Sequence, residues 1–214
     1  MFLLFDLDGT LTDSNGLWLD VDIEFTRRRG LTVTQEYTDF VTHAIFPTAA
    51  QFTKEYYHLP DTPEEIMDEW LSMARDAYAN RCPLKPGVLN FLSASRAEGI
   101  PMAIVTACMP LLCEAALNRF GIRGWFRFIL YAQELNLQKT DPRVWEAAVE
   151  RSGQMPAQCV AFDDSPRSCR AAGLAGCRTV GVYDALYAAS RAGMERDCLF
   201  YISDFRGVSP RDFE

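Results

Sequence analysis

Two carboxylates lie two positions apart at the end of a short apolar run near the start of the chain. Asp6 and Asp8 follow the run 2–5, and Gly9 comes directly after them. A continuous apolar run that stops at turn residues is typical of a strand buried on both faces. Open α/β sheets bind ligands at the carboxyl ends of such strands. Two like charges this close are unfavourable unless a cation or a shared proton relieves them. The pair therefore indicates a metal or acid–base site, with an acidic helix start or a solvated turn as the alternative.

Four further polar side chains each follow a predicted strand or lie in the loop after one. They are Thr106, Lys139, Asp163 and Asp164. Right-handed crossovers place the carboxyl ends of parallel strands at one edge of a sheet, so these groups are expected to converge with the acidic pair. Taken singly, Thr106 could cap the next helix, and the two aspartates could stabilise the helix that follows them.

Carboxylates that meet at one edge require a cation, and a set of oxygen ligands favours Mg²⁺. A lysine and a hydroxyl beside such a metal can bind a phosphoryl group. The sequence has no evident Ser-His or Cys-His pair, so the nucleophile of such a site would be a carboxylate. The second carboxylate of the pair could then serve as acid and base.

The elements that must position these groups alternate between short strands and helices of about ten residues over 83–214. This pattern predicts an α/β fold, a Rossmann-like parallel sheet with helices on both faces. The last helix is predicted over Asp184 to Met194. The sequence predicts helices and no strands over 14–82, and one of these helices begins with a capping box at Thr62 and Glu65. We expect a catalytic core formed by 1–13 and 83–214, with 14–82 as an inserted all-helical cap that acts as a lid.

Composition narrows the class of function. The chain of 214 residues has a net charge of -8, which argues against nucleic acid or an anionic membrane as a partner. Seven cysteines without metal-type spacing favour a reducing compartment. The apolar run at the amino end is too short for a signal peptide, and no run approaches the length of a membrane span. A cytoplasmic enzyme is the expectation.

The chain resembles the haloacid dehalogenase superfamily of phosphotransferases. Four motifs occur in that family's order along the chain. They are Asp6-Leu7-Asp8-Gly9-Thr10, Thr106 after an apolar strand, Lys139 before Asp141-Pro142, and Phe162-Asp163-Asp164-Ser165. The helical insert is similar to the small cap of phosphoglycolate phosphatases and β-phosphoglucomutases.

The resemblance implies a role for each matching residue. Asp6 would attack phosphorus and form an aspartyl-phosphate, and Asp8 would protonate the leaving oxygen and then activate water. Mg²⁺ would be held by the Asp6 side chain, the Asp8 backbone carbonyl and Asp164, with support from Asp163. Two further residues, Thr106 and Lys139, would bind the phosphoryl oxygens.

Two positions depart from the family pattern. Asp163 stands where members often have Gly, which leaves open which of the two adjacent aspartates is the direct ligand. Thr140 follows Lys139, where Pro is frequent. Candidate substrate contacts from the cap are His43, Thr48 and Lys54.

The expected function is a Mg²⁺-dependent phosphatase that acts on a small phosphorylated metabolite. A sugar phosphomutase of the β-phosphoglucomutase type is the alternative, because only exclusion of water by the cap separates the two reactions. Dehalogenation is disfavoured by the presence of Asp8. A receiver-like signalling domain phosphorylated on Asp would also use an acidic pair, a Thr and a Lys, but the helical insert counts against it.

Overall fold

The computed structural model describes residues 1–41, 44 and 46–214, and their strands form one six-stranded sheet that is parallel throughout. The strands are β1 (Phe2–Phe5), β2 (Met102–Thr106), β3 (Ile129–Tyr131), β4 (Cys159–Asp163), β5 (Arg178–Val182) and β6 (Phe200–Ile202). Their order is β3-β2-β1-β4-β5-β6, so the direction of chain progression reverses at β1. Ligands of open α/β sheets bind at such a reversal. The predicted α/β class is confirmed.

Nine α-helices occur within the described residues. They are α1 (Leu17–Arg28), α2 (Gln35–Val41), α3 (Phe46–Tyr57), α4 (Pro63–Asn80), α5 (Val88–Ala97), α6 (Pro110–Arg119), α7 (Pro142–Ser152), α8 (Pro166–Leu174) and α9 (Arg191–Asp197). The chain divides into two compact units. One unit comprises Met1–Asn15 and Cys82–Glu214 and is named the catalytic unit here because it contains the predicted catalytic residues; the helical unit comprises Gly16–Arg81.

The catalytic unit has apolar packing on both faces of its sheet. Phe2 and Leu4 belong to a buried cluster that includes Trp145 of α7. The ring of Phe5, on the opposite face, lies 6.1 Å from that of Phe91 on α5 in an edge-to-face contact. Side chains of a strand alternate between faces, so helices on both sides bury β1 completely. The apolar run at 2–5 reflects this double burial.

The helical unit is organised by α4, whose predicted start is confirmed. Thr62 Oγ1 accepts a hydrogen bond from the Glu65 N–H at 3.2 Å, and the Glu65 carboxylate accepts one from the Thr62 N–H at 2.7 Å. This capping box satisfies two backbone donors that a helix start leaves unpaired. Further along α4, Trp70 is buried and packs against Phe25 of α1 with ring centroids 5.6 Å apart.

The single helix predicted over Asp184–Met194 is wrong. A 3₁₀ segment, Ala185–Ser190, comes first, and α9 follows it. The Asp184 carboxylate accepts a hydrogen bond from the Leu186 N–H at 2.9 Å, and Tyr187 has non-helical dihedral angles (φ -109°, ψ 19°). The tertiary position of Asp184 therefore sets a tight turn that the helical periodicity of the sequence does not reveal.

All seven cysteines are buried and free. None of the helices in the described ranges is long and apolar enough to cross a membrane. The cytoplasmic location stays a prediction.

Candidate active site

The segment after β1 turns back sharply and fixes the position of Asp6. The Leu7 carbonyl accepts hydrogen bonds from the N–H groups of Leu11 and Thr12, each at 2.9 Å. Thr10, carried by the same turn, donates its hydroxyl to Asp6 Oδ2 at 3.3 Å. The Asp6 carboxylate is thereby buried at the end of the strand with its orientation set by the turn.

Gly9 allows this turn to approach the strand-end aspartates closely. Its φ is +78°, a backbone angle that residues with a side chain rarely adopt. A Cβ atom added there would lie 2.1 Å from Asp164 Oδ2 and 2.2 Å from Asn15 Nδ2. Both the backbone conformation and the available space therefore require glycine at this position.

The structure brings three of the predicted acidic residues together. Asp6, Asp163 and Asp164 each offer one carboxylate oxygen to a group whose atoms lie within 4.8 Å of one another. Burial raises the pKa of Asp6 well above its usual value, and Lys139 offsets only part of this effect. Burial, assisted by the charge of Asp163, raises the pKa of Asp164 to about 7. The raised pKa values mean that burial and mutual repulsion oppose the ionised form of these carboxyl groups. A bound cation would favour that ionised form, so the cluster is suited to bind one.

Lys139 lies against this cluster. Its ammonium forms an ion pair with Asp6 Oδ1 and a second one with Asp163 Oδ2, the latter at 3.0 Å. Burial alone would lower the pKa of Lys139, but Asp163 and Asp6 raise it above the usual value, so the group stays charged. The indole N–H of Trp145, in α7, donates to the Lys139 carbonyl at 3.1 Å and holds the loop in place.

The two adjacent aspartates have different surroundings. Asp163 Oδ1 accepts from the Ser165 N–H at 2.9 Å, and Asp163 Oδ2 accepts from the Ser168 hydroxyl at 2.7 Å in addition to its contact with Lys139. Asp164 Oδ2 accepts from the Asn15 amide at 2.7 Å. Both oxygens of Asp163 are thus occupied by protein donors, whereas within the described residues the hydrogen bonding of Asp164 involves one oxygen only.

Asp8 and Thr106 occupy separate positions in the site. The Asp8 carboxylate accepts from the Ser14 hydroxyl at 2.6 Å and is not one of the three clustered carboxylates. Thr106 is buried at the end of β2, and its hydroxyl accepts from the Cys108 N–H at 2.9 Å. Met109, and not Thr106, is the N-cap of α6, so the alternative role of Thr106 as a helix cap is wrong.

The cap candidates belong to the helical unit or lie outside the described residues. Thr48 is exposed on α3. The Lys54 ammonium donates to the Asp61 carbonyl at 2.5 Å and lies 3.5 Å from the Pro60 carbonyl. His43 lies outside the described residues. These three remain predicted substrate contacts.

A network that sequence reasoning missed extends from Asp164 to the chain segment that enters the catalytic unit at Cys82. Asn15 hydrogen-bonds to both Asp164 and Asp184. Asp184 forms a buried ion pair of 2.7 Å with Lys85, whose ammonium also donates to the Tyr183 carbonyl at 2.6 Å. Asn15 and Asp164 are separated by 149 positions, and no local pattern links them. Ser168 was also missed, although its place in the first turn of α8 is a signal that could have indicated it.

The two connections to the helical unit are anchored on the catalytic unit. The Asp13 N–H donates to the Pro83 carbonyl at 3.0 Å, and the Lys85 N–H donates to the Leu11 carbonyl at 2.9 Å. The segments that leave and re-enter the catalytic unit therefore pair with each other next to the turn that follows Asp6.

The model of the family described as haloacid dehalogenase-like hydrolase matches residues 3–182 of the chain. Hexitol phosphatase B of Escherichia coli is 24% identical over 84% of this chain and 82% of its own length. A phosphoglycolate phosphatase of Pseudomonas putida is 28% identical over 84% of this chain and 68% of its own. The crystal structure of CbbY from Rhodobacter sphaeroides in complex with phosphate has the same fold, with a TM-score of 0.76 and 23% identity over 96% of this chain and 94% of that one.

Proposed function

This chain belongs to the haloacid dehalogenase-like hydrolase family, and we propose that it is a Mg²⁺-dependent phosphatase that hydrolyses a phosphomonoester of a small metabolite. The observation that carries the proposal is the buried group of Asp6, Asp163 and Asp164 with the Lys139 ammonium against it. The similarity to phosphatases of phosphoglycolate and hexitol phosphates supports this substrate class.

Asp6 is the proposed nucleophile and Asp8 the proposed acid and base. An Asp6 oxygen bonds to phosphorus as the bond to the leaving alkoxide breaks, and Asp8 gives its proton to that alkoxide. Asp8 then takes a proton from water, whose oxygen attacks phosphorus and displaces the Asp6 carboxylate. Inorganic phosphate leaves, and both side chains return to their starting state. The separation of the Asp8 carboxylate from the three clustered ones supports this division of roles.

The donor set is suited to Mg²⁺, which prefers carboxylate and carbonyl oxygens together with phosphate. We assign its ligands as the Asp6 carboxylate, the Asp8 carbonyl and the Asp164 carboxylate. Asp163 acts as a support, because protein donors occupy both of its oxygens. When bound, the ion would neutralise charge on the phosphoryl oxygens.

Thr106 and Lys139 are the proposed partners of the phosphoryl group. Lys139 is charged and lies at Asp6, where the phosphoryl group would arrive. We further propose that 14–82 acts as a cap and supplies the substrate contacts named above, and that the chain works in the cytoplasm.

The function is tested by a panel of phosphorylated metabolites assayed for released phosphate with and without Mg²⁺. The panel includes phosphoglycolate, hexitol phosphates and β-glucose 1-phosphate, the last also assayed for isomerisation. We expect Mg²⁺-dependent release from at least one phosphomonoester. Isomerisation without phosphate release would contradict the phosphatase and favour the phosphomutase.

Replacing Asn15 by alanine is expected to weaken metal binding. The Asn15 amide orients Asp164 through Oδ2, and loss of such a partner of a metal ligand costs about 10-fold to 100-fold in metal affinity. The Mg²⁺ concentration that gives half-maximal turnover should therefore rise about tenfold or more, with little change in maximal turnover at saturating Mg²⁺. Asn90→Ala, an exposed position on α5, is the matched control and should leave this concentration unchanged. An unaltered Mg²⁺ dependence of Asn15→Ala would contradict the positioning role.

The apparent affinity for Mg²⁺ is expected to rise as the pH rises through about 7. Without metal, the Asp164 pKa of about 7 exceeds its ordinary value of 3.8. The stability contributed by the bound proton is thus fully present below pH 3.8 and lost as pH rises through 7. Mg²⁺ must displace that proton, so its apparent affinity should fall by up to about tenfold for each pH unit below this pKa.

This pH dependence is measured as the Mg²⁺-induced increase in Tm at a series of pH values from about 5 to 8. The increase should grow as the pH rises through the Asp164 pKa of about 7. Asp164→Asn, which removes the titrating group, should show a smaller and flatter response. An increase in Tm that is independent of pH in the unaltered protein would contradict the assignment.

A further inference from the structure

A cavity of about 830 Å³ lies in the catalytic unit between α8, β5 and the segment around α9. The proposed nucleophile, acid–base and phosphate-binding residues do not line it. Its walls include two cysteines, Cys169 of α8 and Cys198, which directly follows α9, together with Met194 and Thr179. Arg167 and Arg170 border it as well.

The two cysteines are direct neighbours although they are far apart in sequence. Both are buried, and they pack with Met194 in one cluster. The side chains of Cys169 and Thr179 lie within hydrogen-bonding reach of the Cys198 sulfur. Hydrogen bonds to sulfur stabilise a thiolate, and they hold the pKa of Cys198 below its usual value although burial acts in the opposite direction.

We propose that Cys169 and Cys198 form a redox-active dithiol, which a small anionic disulfide oxidises through this cavity to an intramolecular disulfide. The contact of the two thiols supplies the proximity that an S–S bond requires. The cavity gives a reagent access to two side chains that are otherwise covered. Arg167 and Arg170 are exposed at the cavity, where Asp197 pairs with Arg170 at 4.0 Å. Two arginines against one aspartate leave positive charge for the carboxylates of a reagent such as oxidised glutathione.

The reaction balances as two thiol–disulfide exchanges. The Cys198 thiolate attacks one sulfur of the small disulfide, forms a mixed disulfide and releases one small thiolate. Cys169 then loses its proton and attacks the Cys198 sulfur, which forms the Cys169–Cys198 bond and releases the second small thiolate. The two protons of the protein thiols are taken up by the two thiolates released.

Oxidation has a direct route to the acidic cluster. Cys169 Sγ lies 3.4 Å from the Asp163 carbonyl and donates to it, and the preceding residue, Ser168, donates to the Asp163 carboxylate. A disulfide removes the Cys169 donor and draws its sulfur towards Cys198. We therefore expect oxidation to lower turnover about tenfold, the lower limit for loss of an outer partner in a metal site. This second part of the inference rests on the proposed function.

The chemistry is tested on the folded full chain with oxidised glutathione, followed by alkylation of free thiols and tryptic mapping without reduction. Cleavage after arginine separates the two cysteines, Cys169 in 168–170 and Cys198 in 197–206, from Cys177 in 171–178. We expect a linked pair of the first two peptides, two hydrogens lighter than their sum, and a loss of two titratable thiols per chain. Linkage that forms only in a denaturant, or between other cysteines, would overturn the proposal.

Matched variants separate the proposal from general oxidation. Cys198→Ser and Cys169→Ser should each prevent the linked pair of peptides. Cys177→Ser should not, because burial raises the pKa of Cys177 to about 12 and leaves it unreactive. Turnover of an active phosphomonoester should fall on oxidation and return with a reductant in the unaltered protein and in Cys177→Ser, but not change in Cys198→Ser. Unchanged turnover after complete oxidation would overturn the proposed effect of the disulfide on turnover. The linked peptides would form even if the protein had no phosphatase activity, so failure of the proposed function and failure of the dithiol proposal give different results.

Discussion

Replacing Asp6 by asparagine is expected to abolish the hydrolysis of a generic aryl phosphate in the presence of Mg²⁺. An amide cannot form the phosphoryl ester, and it also removes one charged oxygen from the proposed metal site. Loss of a covalent nucleophile typically lowers turnover by roughly 10⁴-fold or more. The measurement is release of the aryl alcohol at saturating substrate and Mg²⁺.

The same substitution should not destabilise the fold without metal. Burial raises the pKa of Asp6 well above its usual value, which means that its charge opposes folding. Asparagine has the same shape and no charge, and it can still accept the hydrogen bond from Thr10. The Tm of the metal-free variant should therefore equal or exceed that of the unaltered protein. A loss of activity with an intact fold distinguishes a chemical role from a structural one.

Asp13→Asn is the matched control for Asp6→Asn. Asp13 belongs to the same segment and is exposed, so its replacement should leave turnover within about twofold. Turnover by Asp6→Asn above a few per cent of the unaltered rate would exclude Asp6 as the nucleophile. Asp8 would then be the next residue to test as the attacking group.

The sheet could be predicted because the local sequence of its central strands already indicates burial on both faces. The runs that end at Phe5 and at Phe162 are apolar throughout and are each followed by an aspartate, which is typical of a strand buried on both faces. The start of α4 could be predicted because its capping residues are three positions apart. In each case the signal is local, and tertiary packing reinforces it.

What could not be predicted depends on contacts between distant residues. Lys85 and Asp184 form a buried ion pair across 99 positions, and each alone reads as an ordinary surface charge. The same aspartate caps the 3₁₀ segment that stands where the sequence predicts a single helix. Likewise, nothing in the sequence around Cys169 or Cys198 indicates that the two side chains are neighbours in the fold. Sequence reasoning therefore identified the proposed catalytic groups, but not the network that holds them.

Replacing Lys139 by methionine is expected to affect both stability and catalysis. Lys139 pairs with Asp6 and Asp163, and its removal leaves the cluster of three buried carboxylates without a protein cation. Removing one partner from a buried ion pair costs about 3–5 kcal/mol of unfolding free energy. Loss of a charged group that stabilises a phosphoryl transition state should lower turnover by a further 10²-fold to 10³-fold. The measurements are denaturant unfolding without metal and turnover at saturating Mg²⁺.

The pH dependence of this loss follows from the charges. Asp6 and Lys139 both have a raised pKa, so in the unaltered protein the lysine stays charged and the carboxylates are partly neutralised. In Lys139→Met the cluster can reduce its repulsion only by binding protons. The difference in unfolding free energy between the two proteins should therefore be small near pH 4 and grow as the pH rises towards 8. Added Mg²⁺ should restore part of the stability at high pH, because it supplies the missing positive charge.

Lys85→Met is the matched control for the loss of stability and for its recovery with Mg²⁺. Lys85 is as buried as Lys139, with 7% and 11% of the side chain exposed, and it also pairs with a buried aspartate. Its replacement should reduce stability by a similar amount, but Mg²⁺ should restore little of that loss, because Asp184 is not a proposed ligand. Equal recovery of both variants with Mg²⁺ would show that the ion stabilises the fold in general. Recovery confined to Lys139→Met would mean that lysine and metal share the task of balancing the same three carboxylates.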